Sequence, residues 1–223
     1  MKQSPRVLIT AGPTHEAIDA VRYLANRSSG RMGIALAEAA TARGWQTTLL
    51  LGPTSLSVPN NTKLRILRFQ TTADLEHLLH IEWPGHDLLF MAAAVADYRP
   101  IKPDSEVKIS RTTGSLSVEL EPTPDLLAKL SHKKRTDQFT VGFALESEKN
   151  LEASARRKLS EKKLDAIVAN PLETMDSETI SGKVYFRDGQ GKSARPQITK
   201  SEFADWLLTA ITPYIVQYHA TRQ

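Results

Sequence analysis

The chain contains no cysteine among its 223 residues, which removes disulfides, thiol nucleophiles and cysteine-ligated metal from consideration. Aromatic residues are scarce at 6%, and no basic stretch is interleaved with them in the way a nucleic-acid surface requires. No apolar run reaches the roughly 20 residues needed to span a bilayer, and the N-terminus carries no signal-peptide apolar core. These absences lead to the expectation of a cytoplasmic protein that binds neither nucleic acid nor membrane. The six histidines form no ligand cluster; His77 and His80 share a helical spacing and read as a solvated face. Metal ligands therefore stay unassigned. What is present is ordinary for a folded domain: 40% apolar and 24% charged residues over a length sufficient for a full core. The net charge of +4 suits a small polyanionic ligand better than a duplex.

One stretch concentrates the unusual chemistry. Residues 10–33, TAGPTHEAIDAVRYLANRSSGRMG, follow a β-type run and precede an alanine-rich helix pattern. Gly12, Gly30 and Gly33 allow close backbone approach, Thr14, Ser28 and Ser29 offer hydroxyls, and Arg22 and Asn26 offer donors. A Ser-Ser-Gly sequence opening a helix presents unpaired N–H groups to an anion. An N-capped helix alone accounts for residues 28–33 but not for the donors packed into the loop before them. The stretch predicts a phosphate or nucleotide site.

The remaining pattern alternates strands and helices. Strands are expected at 7–10, 47–51, 64–69, 87–95, 139–145 and 166–170, with a half-exposed strand at 115–120 and a hairpin around Asp188-Gly189. Helices are expected at 28–43, ended by Gly44; at 71–82, opened by a Thr71/Asp74 capping box; after Thr123-Pro124-Asp125; at 147–163; and from Thr199/Glu202 onward. Such alternation predicts an α/β fold, a Rossmann-like doubly wound and mostly parallel sheet whose ligands gather beyond the carboxyl ends of its strands. At one such end lies AAAVADYRP, residues 92–100. Its alanines clear space, and Asp97 is placed to meet a base amino group, a ribose hydroxyl or Mg²⁺. Lys158 and Lys162, four apart, are expected to share a helix face toward a polyphosphate.

A nicotinamide-dependent oxidoreductase is the obvious competitor. Its fingerprint places three glycines within about six residues of the first strand, whereas residues 13–29 separate Gly12 from Gly30 here. Tyr98 and Lys102 match the Tyr-x-x-x-Lys of a short-chain reductase, but Pro100 between them breaks the helix that pairing needs. A non-catalytic nucleotide-binding module on the same fold is a second alternative.

Taken together, AGPTHEAIDAVRYLANRSSGRMG, AAAVADYRP, TPDLL, VGFALE and KKLDAIVAN closely resemble the phosphopantothenate–cysteine ligase family, in order and spacing, over residues 7–170. The resemblance implies that CTP activates the carboxylate of phosphopantothenate as an acyl-cytidylate, and that L-cysteine then forms the amide; ATP in place of CTP is the variant reading. It implies Asn26, Arg22 and Lys108 as catalytic residues. Gly12, Ser28, Ser29 and Gly30 would surround the phosphates, and Ala92, Ala93 and Asp97 would line the cytidine side. Pro124, Asp125, Leu126, Leu127 and Phe143 would form the base pocket, with Lys108, Lys158 and Lys162 facing the triphosphate. It further implies Mg²⁺ carried by the nucleotide, and a homodimer formed through a small β-rich annex at about 101–121 and 179–187 within a single ligase domain. The flavin-dependent decarboxylase half that usually accompanies this ligase has no counterpart in these residues. Two departures stand out: the family's Lys-x-Lys-Lys reads Lys108-Ile109-Ser110-Arg111, and its Gly-Gly-Thr reads Gly12-Pro13-Thr14.

Overall fold

The computed structural model describes residues 4–58, 60–101, 107–111, 114–175 and 177–220. Its centre is an eight-stranded sheet. The strands are, in chain order, β1 (Arg6–Ala11), β2 (Gln46–Leu51), β3 (Leu64–Arg68), β4 (Leu88–Met91), β5 (Phe139–Glu146), β6 (Ala166–Pro171), β7 (Lys183–Phe186) and β8 (Gly191–Ser193). In space they run 8-7-6-5-4-1-2-3. All pairs from β3 to β6 are parallel, and β7 and β8 add an antiparallel hairpin at one edge. The order reverses between β1 and β4, the crevice where a doubly wound sheet binds its ligand.

The strands between the edges are apolar on both faces because helices cover both. Val7, Ile9 and Ala11 pack with α1 (Arg31–Ala42) and α5 (Lys200–Ala220) on one side. Leu8 and Leu50 point the other way, toward α2 (Thr72–Glu82), α3 (Leu126–Lys133) and α4 (Leu151–Glu161). Period-two alternation thus divides one strand between two cores. The Thr71/Asp74 capping box opens α2 and its counterpart, Thr199 with Glu202, opens α5. Gly44, at φ 80°, follows α1. Lys183–Phe186 and Gly191–Ser193 form the expected hairpin around Asp188-Gly189, Gly189 turning at φ 89°.

Several boundaries differ from the sequence pattern, each for a local reason. Helix α1 starts at Arg31, with Gly30 in the left-handed region, so Ser28 and Ser29 belong to the loop. The apolar run 87–95 stays in the sheet only through Met91, because the alanines beyond it are drawn onto the loop after β1. Asp125, not Thr123, caps α3: its carboxylate accepts from Ala128 N–H, while the Thr123 hydroxyl donates to the Ala96 carbonyl. The pattern at 115–120 yields a strand only from Leu120 to Pro122, paired with Tyr98–Pro100. Helix α4 begins at Leu151, after a short 3₁₀ turn. The second annex segment divides, since Thr179–Ile180 pairs with Ile198–Thr199 while Lys183–Phe186 joins the central sheet.

The glycines separated in sequence meet in space. Residues 13–29 leave β1, form an antiparallel ribbon (His15–Ala17 with Tyr23–Ala25), and return. The His15 and Tyr23 rings stack across it at 3.8 Å. On return, a side chain at Gly30 would lie 3.1 Å from the Gly12 nitrogen, and one at Gly33 would lie 2.5 Å from the Ala11 Cβ and 2.9 Å from the Thr10 carbonyl. The jobs a compact glycine fingerprint performs are therefore done here around an inserted hairpin.

This contact generates a stability prediction. In an exposed helix, Gly→Ala stabilises by about 1 kcal/mol. For Gly33→Ala the overlap with β1 overrides that gain, and overpacking of this kind destabilises by about 1–3 kcal/mol. Urea unfolding of the variant should show a lower midpoint; an unchanged or higher midpoint contradicts the close approach of α1 to β1.

Candidate functional site

At the carboxyl ends of β1, β4, β5 and β6 the structure opens into a cleft of about 810 Å³. One wall is the loop 92–97, pinned to the first loop by four hydrogen bonds. The Thr10 hydroxyl accepts from Ala93 N–H at 3.0 Å and the Thr14 hydroxyl from Ala96 N–H at 2.9 Å. Ala94 N–H donates to the Gly12 carbonyl at 3.0 Å, and Thr14 N–H to the Ala94 carbonyl at 3.3 Å. Small side chains let this backbone come up against the cleft, which is what the run of alanines achieves. Asn26 is fixed to the same wall, its Nδ2 donating to the Val95 carbonyl at 2.9 Å.

The floor is the N-terminus of α1. No side chain caps it, and the N–H groups of Met32 and Gly33 have no partner among the described residues. Such a terminus, with its partial positive charge, is an anion site when it opens into a cleft. Four cations line the cleft, Arg27, Arg31, Lys162 and Lys200, against two carboxylates, Asp97 and Asp125. Lys162 and Arg31 lie beside carboxylates. Lys162 pairs with Asp125 at 2.8 Å, and Arg31 Nη1 is 3.9 Å from Glu178. Arg31 Nε is buried without a hydrogen-bond partner among the described residues. Burial pushes the Asp125 carboxyl up, but the hydrogen bonds from Lys162 and Ala128 N–H and the Lys162 charge outweigh it, so its pKa falls below the usual carboxylate value. The third wall is Pro124 to Leu127 with Phe143 and Leu145, an apolar slot.

The cleft collects Asn26, Ser28, Ser29, Gly30, Ala92, Ala93, Asp97, Pro124, Asp125, Leu126, Leu127, Phe143 and Lys162. Asp97 is exposed and its side chain has no partner among the described residues. Four expected residues are placed elsewhere. Gly12 lies beneath Gly30 and supports the loop. Lys158 turns away and pairs with Glu146 at 2.8 Å, so the two lysines of α4 and its cap do not converge. Arg22 and Lys108 lie outside the cleft lining, at the hairpin turn and on the 107–111 segment. Tyr98 is in a strand, as Pro100 requires, and Lys102 lies outside the described residues.

Arg31, Asn170 and Lys200 line the cleft but escaped the sequence reading. Arg31 directly follows Gly30, and its charge in the first turn was the available signal. Asn170 lies one residue before the end of β6 and donates from Nδ2 to the Thr174 hydroxyl at 2.9 Å; its place near a strand's carboxyl end marked it. Lys200 begins α5, and no local pattern ties it to a loop so distant in sequence.

Comparison with known proteins agrees with this geometry. The profile of the DNA/pantothenate metabolism flavoprotein C-terminal domain matches residues 2–214. The Coenzyme A biosynthesis bifunctional protein CoaBC of Bacillus subtilis (strain 168) is 37% identical over 213 residues, 94% of this chain and 51% of that protein. A protein of an unknown prokaryotic organism, described as a cysteine/cysteine sulfinic acid decarboxylase, is 43% identical over 168 residues, 75% of this chain and 46% of its own length. The chain thus spans about half the length of these relatives. The crystal structure of the C-terminal domain of a Coenzyme A biosynthesis bifunctional protein CoaBC superposes with a TM-score of 0.81 at 35% identity, covering 96% of this chain and 97% of that one. The chain belongs to the family of the DNA/pantothenate metabolism flavoprotein C-terminal domain.

Proposed function

We propose that the chain is a phosphopantothenate–cysteine ligase acting in coenzyme A biosynthesis, with CTP as the activating nucleotide. The observation that carries this reading is the cationic cleft at the switch point, floored by an uncapped helix N-terminus and walled by Asn26. Membership of the family, and the coenzyme A biosynthesis named for the Bacillus subtilis relative, support the same reading.

The chemistry follows from the parts. A carboxylate oxygen of phosphopantothenate attacks the α-phosphorus of CTP, the α–β phosphoanhydride breaks, and pyrophosphate leaves. The amine of L-cysteine then attacks the acyl carbon, the carbon–oxygen bond to phosphorus breaks, CMP leaves, and the amine gives up a proton. Both steps develop negative charge on phosphate oxygens, so stabilisation matters more than covalent catalysis. The N–H groups of Met32 and Gly33 and the guanidinium of Arg31 meet the phosphates. Asn26, oriented by the Val95 carbonyl, supplies a neutral donor beside the acyl phosphate. The slot of Pro124 to Leu127 and Phe143 takes the base, with Ala92 and Ala93 leaving room for the sugar. Mg²⁺ bound to the triphosphate would neutralise the leaving pyrophosphate. Among the described residues no group of three or more His, Asp or Glu is arranged to hold a metal by itself, and Asp97 is the cleft carboxylate available to an ion carried in by the nucleotide.

Self-association belongs to this reading as well. Tyr98, Val107 and Leu120 expose 52%, 59% and 43% of their surfaces, and Val21 and Tyr23 of the hairpin expose 59% and 55%. Ala20 N–H donates to the Val107 carbonyl, which brings hairpin and annex together. A second copy covering this face would form the homodimer and shield the short Tyr98–Pro100/Leu120–Pro122 ribbon.

The defining measurement is release of pyrophosphate from CTP that requires phosphopantothenate, followed by cysteine-dependent release of CMP; a module that only binds nucleotide releases neither. Asn26→Asp puts a carboxylate against the Val95 carbonyl and removes the neutral donor. CTP affinity should change little, and ligation should fall by about two to three orders of magnitude, the usual loss for one oxyanion donor. Wild-type turnover in the variant removes Asn26 from the chemistry. Base selectivity is checked by competition: CTP should displace a bound fluorescent cytidine nucleotide at lower concentration than ATP. Equal displacement overturns the pyrimidine slot and leaves the ligation itself standing.

A further inference from the structure

The turn of the hairpin holds a carboxylate that neither the cleft nor the core uses. Asp19 is 3% exposed although it lies at the tip of a surface ribbon. Its two oxygens have separate partners. Oδ1 accepts from the N–H groups of Val21 at 2.9 Å and Arg22 at 2.8 Å, which completes the turn. Oδ2 has no part in that turn. It accepts from Ile109 N–H at 3.2 Å and lies 3.3 Å from Arg22 Nη2. The same Arg22 nitrogen donates to the Ile109 carbonyl at 2.8 Å. The backbone of Ile109 is therefore held on both sides, its N–H by Asp19 and its carbonyl by Arg22. Ala20 N–H adds a third tie, to the Val107 carbonyl at 3.4 Å. Lys108 lies between the two tied residues, exposed, with its backbone fixed on either side.

The base of the hairpin is anchored in turn. His15 N–H donates to the Gln70 carbonyl at 2.7 Å, and Glu16 Oε1 accepts from Thr72 N–H at 2.8 Å and from its hydroxyl at 2.7 Å. The clamp thus joins the segment carrying Lys108 to a rigid support whose return strand leads directly into Asn26. A surface segment held at a fixed point loses far less entropy in reaching a site than one free along its length.

We propose that Asp19 is a positioning residue for the ligation: through Oδ2 it holds Lys108 and Arg22 together at the hairpin turn, beside the cleft. This rests on the ligase reading of the site. Asp19 touches no substrate, and its action runs through the two cations it sets in register. The Val21 N–H, with burial opposing and the N–H groups of Ile109 and Arg22 and the Arg22 charge assisting, holds its carboxyl below the ordinary value. It is an anion throughout the neutral range.

The two oxygens allow the turn and the clamp to be separated. Asp19→Asn keeps an acceptor for Val21 and Arg22 N–H but offers Ile109 N–H a donor in place of Oδ2, and it removes the charge opposite Arg22. Ile109→Pro deletes the N–H from the other side without touching the hairpin. Each variant should keep the wild-type melting temperature and CTP KM within about twofold while kcat falls about ten- to hundredfold, the scale of a misplaced catalytic group. In the Lys108→Gln/Arg22→Gln background, where neither cation is left to place, Asp19→Asn should reduce kcat little further. Full multiplication of the two losses, or a loss confined to KM or to thermal stability, overturns the inference.

A readout independent of turnover comes from the absence of cysteine. A nitroxide on Lys108→Cys is the molecule's single label, and its electron paramagnetic resonance line shape reports local motion. Asp19→Asn should sharpen those lines in the unliganded protein; identical spectra overturn the clamp whatever the enzyme catalyses. If the wild type fails to ligate while the lines still sharpen, the ligase reading falls and the clamp stands.

Discussion

The close approach of α1 to β1 is the contact on which the site depends. Gly33 has no Cβ at a point where one would overlap Ala11 and the Thr10 carbonyl, and Gly30 rests against the Gly12 backbone. Only at that separation does the helix present its first turn to the crevice between β1 and β4. The same approach brings the loop after β1 within reach of the loop after β4, and the hydroxyls of Thr10 and Thr14 tie the two loops together. Asn26 then has a carbonyl to orient against, because Val95 belongs to the pinned loop. Packing at one helix–strand contact is thereby converted into the placement of donors well beyond it.

Electrostatics in the cleft is arranged in exchangeable pairs. Lys162 rests on Asp125 and Arg31 is loosely opposed by Glu178, while the N–H groups of Met32 and Gly33 have no partner among the described residues. Partly exposed pairs of this kind contribute little to stability, so an entering polyphosphate displaces weak partners and gains strong charge-assisted hydrogen bonds. Asp125 has two duties, since it caps α3 through Oδ1 and holds Lys162 through Oδ2. The helix that shapes the base slot is thus coupled to a cation at the end of α4. Lys158, by contrast, is committed to Glu146, which the Ser154 hydroxyl also engages.

The inserted hairpin extends this economy of contacts to the molecular surface. A compact glycine turn would bring strand and helix together with nothing between them. Here the excursion between Gly12 and Gly30 carries Asp19, Arg22 and Asn26, anchored at Gln70 and Thr72 and pinned at Ala94. The chain keeps the packing geometry of a dinucleotide fold and adds to it an arm bearing side chains.

Much of this was legible in the sequence, and the reason is local. Strand–helix alternation, the Thr71/Asp74 and Thr199/Glu202 boxes, Gly44 as a helix stop and the Asp188-Gly189 hairpin all depend on residues within a few positions of one another. The resemblance carried by residues 10–33 and 92–100 likewise marked the cleft, because those motifs supply most of its walls. The tertiary structure alone decided where long side chains end up and where elements stop. Lys158 and Lys162 are a helical turn apart, yet each pairs with a carboxylate on a different element, which spacing along one helix does not encode. The run 87–95 reads as one strand but ends at Met91, because Thr10 and Thr14 capture the backbone beyond it. Lys200 and Asn170 reach the cleft only through the crossing of α5 and the order of the sheet. Local hydrogen-bonding and packing preferences are written in neighbouring residues, whereas competition among distant partners for one cation or one peptide group is settled only when the whole chain has folded.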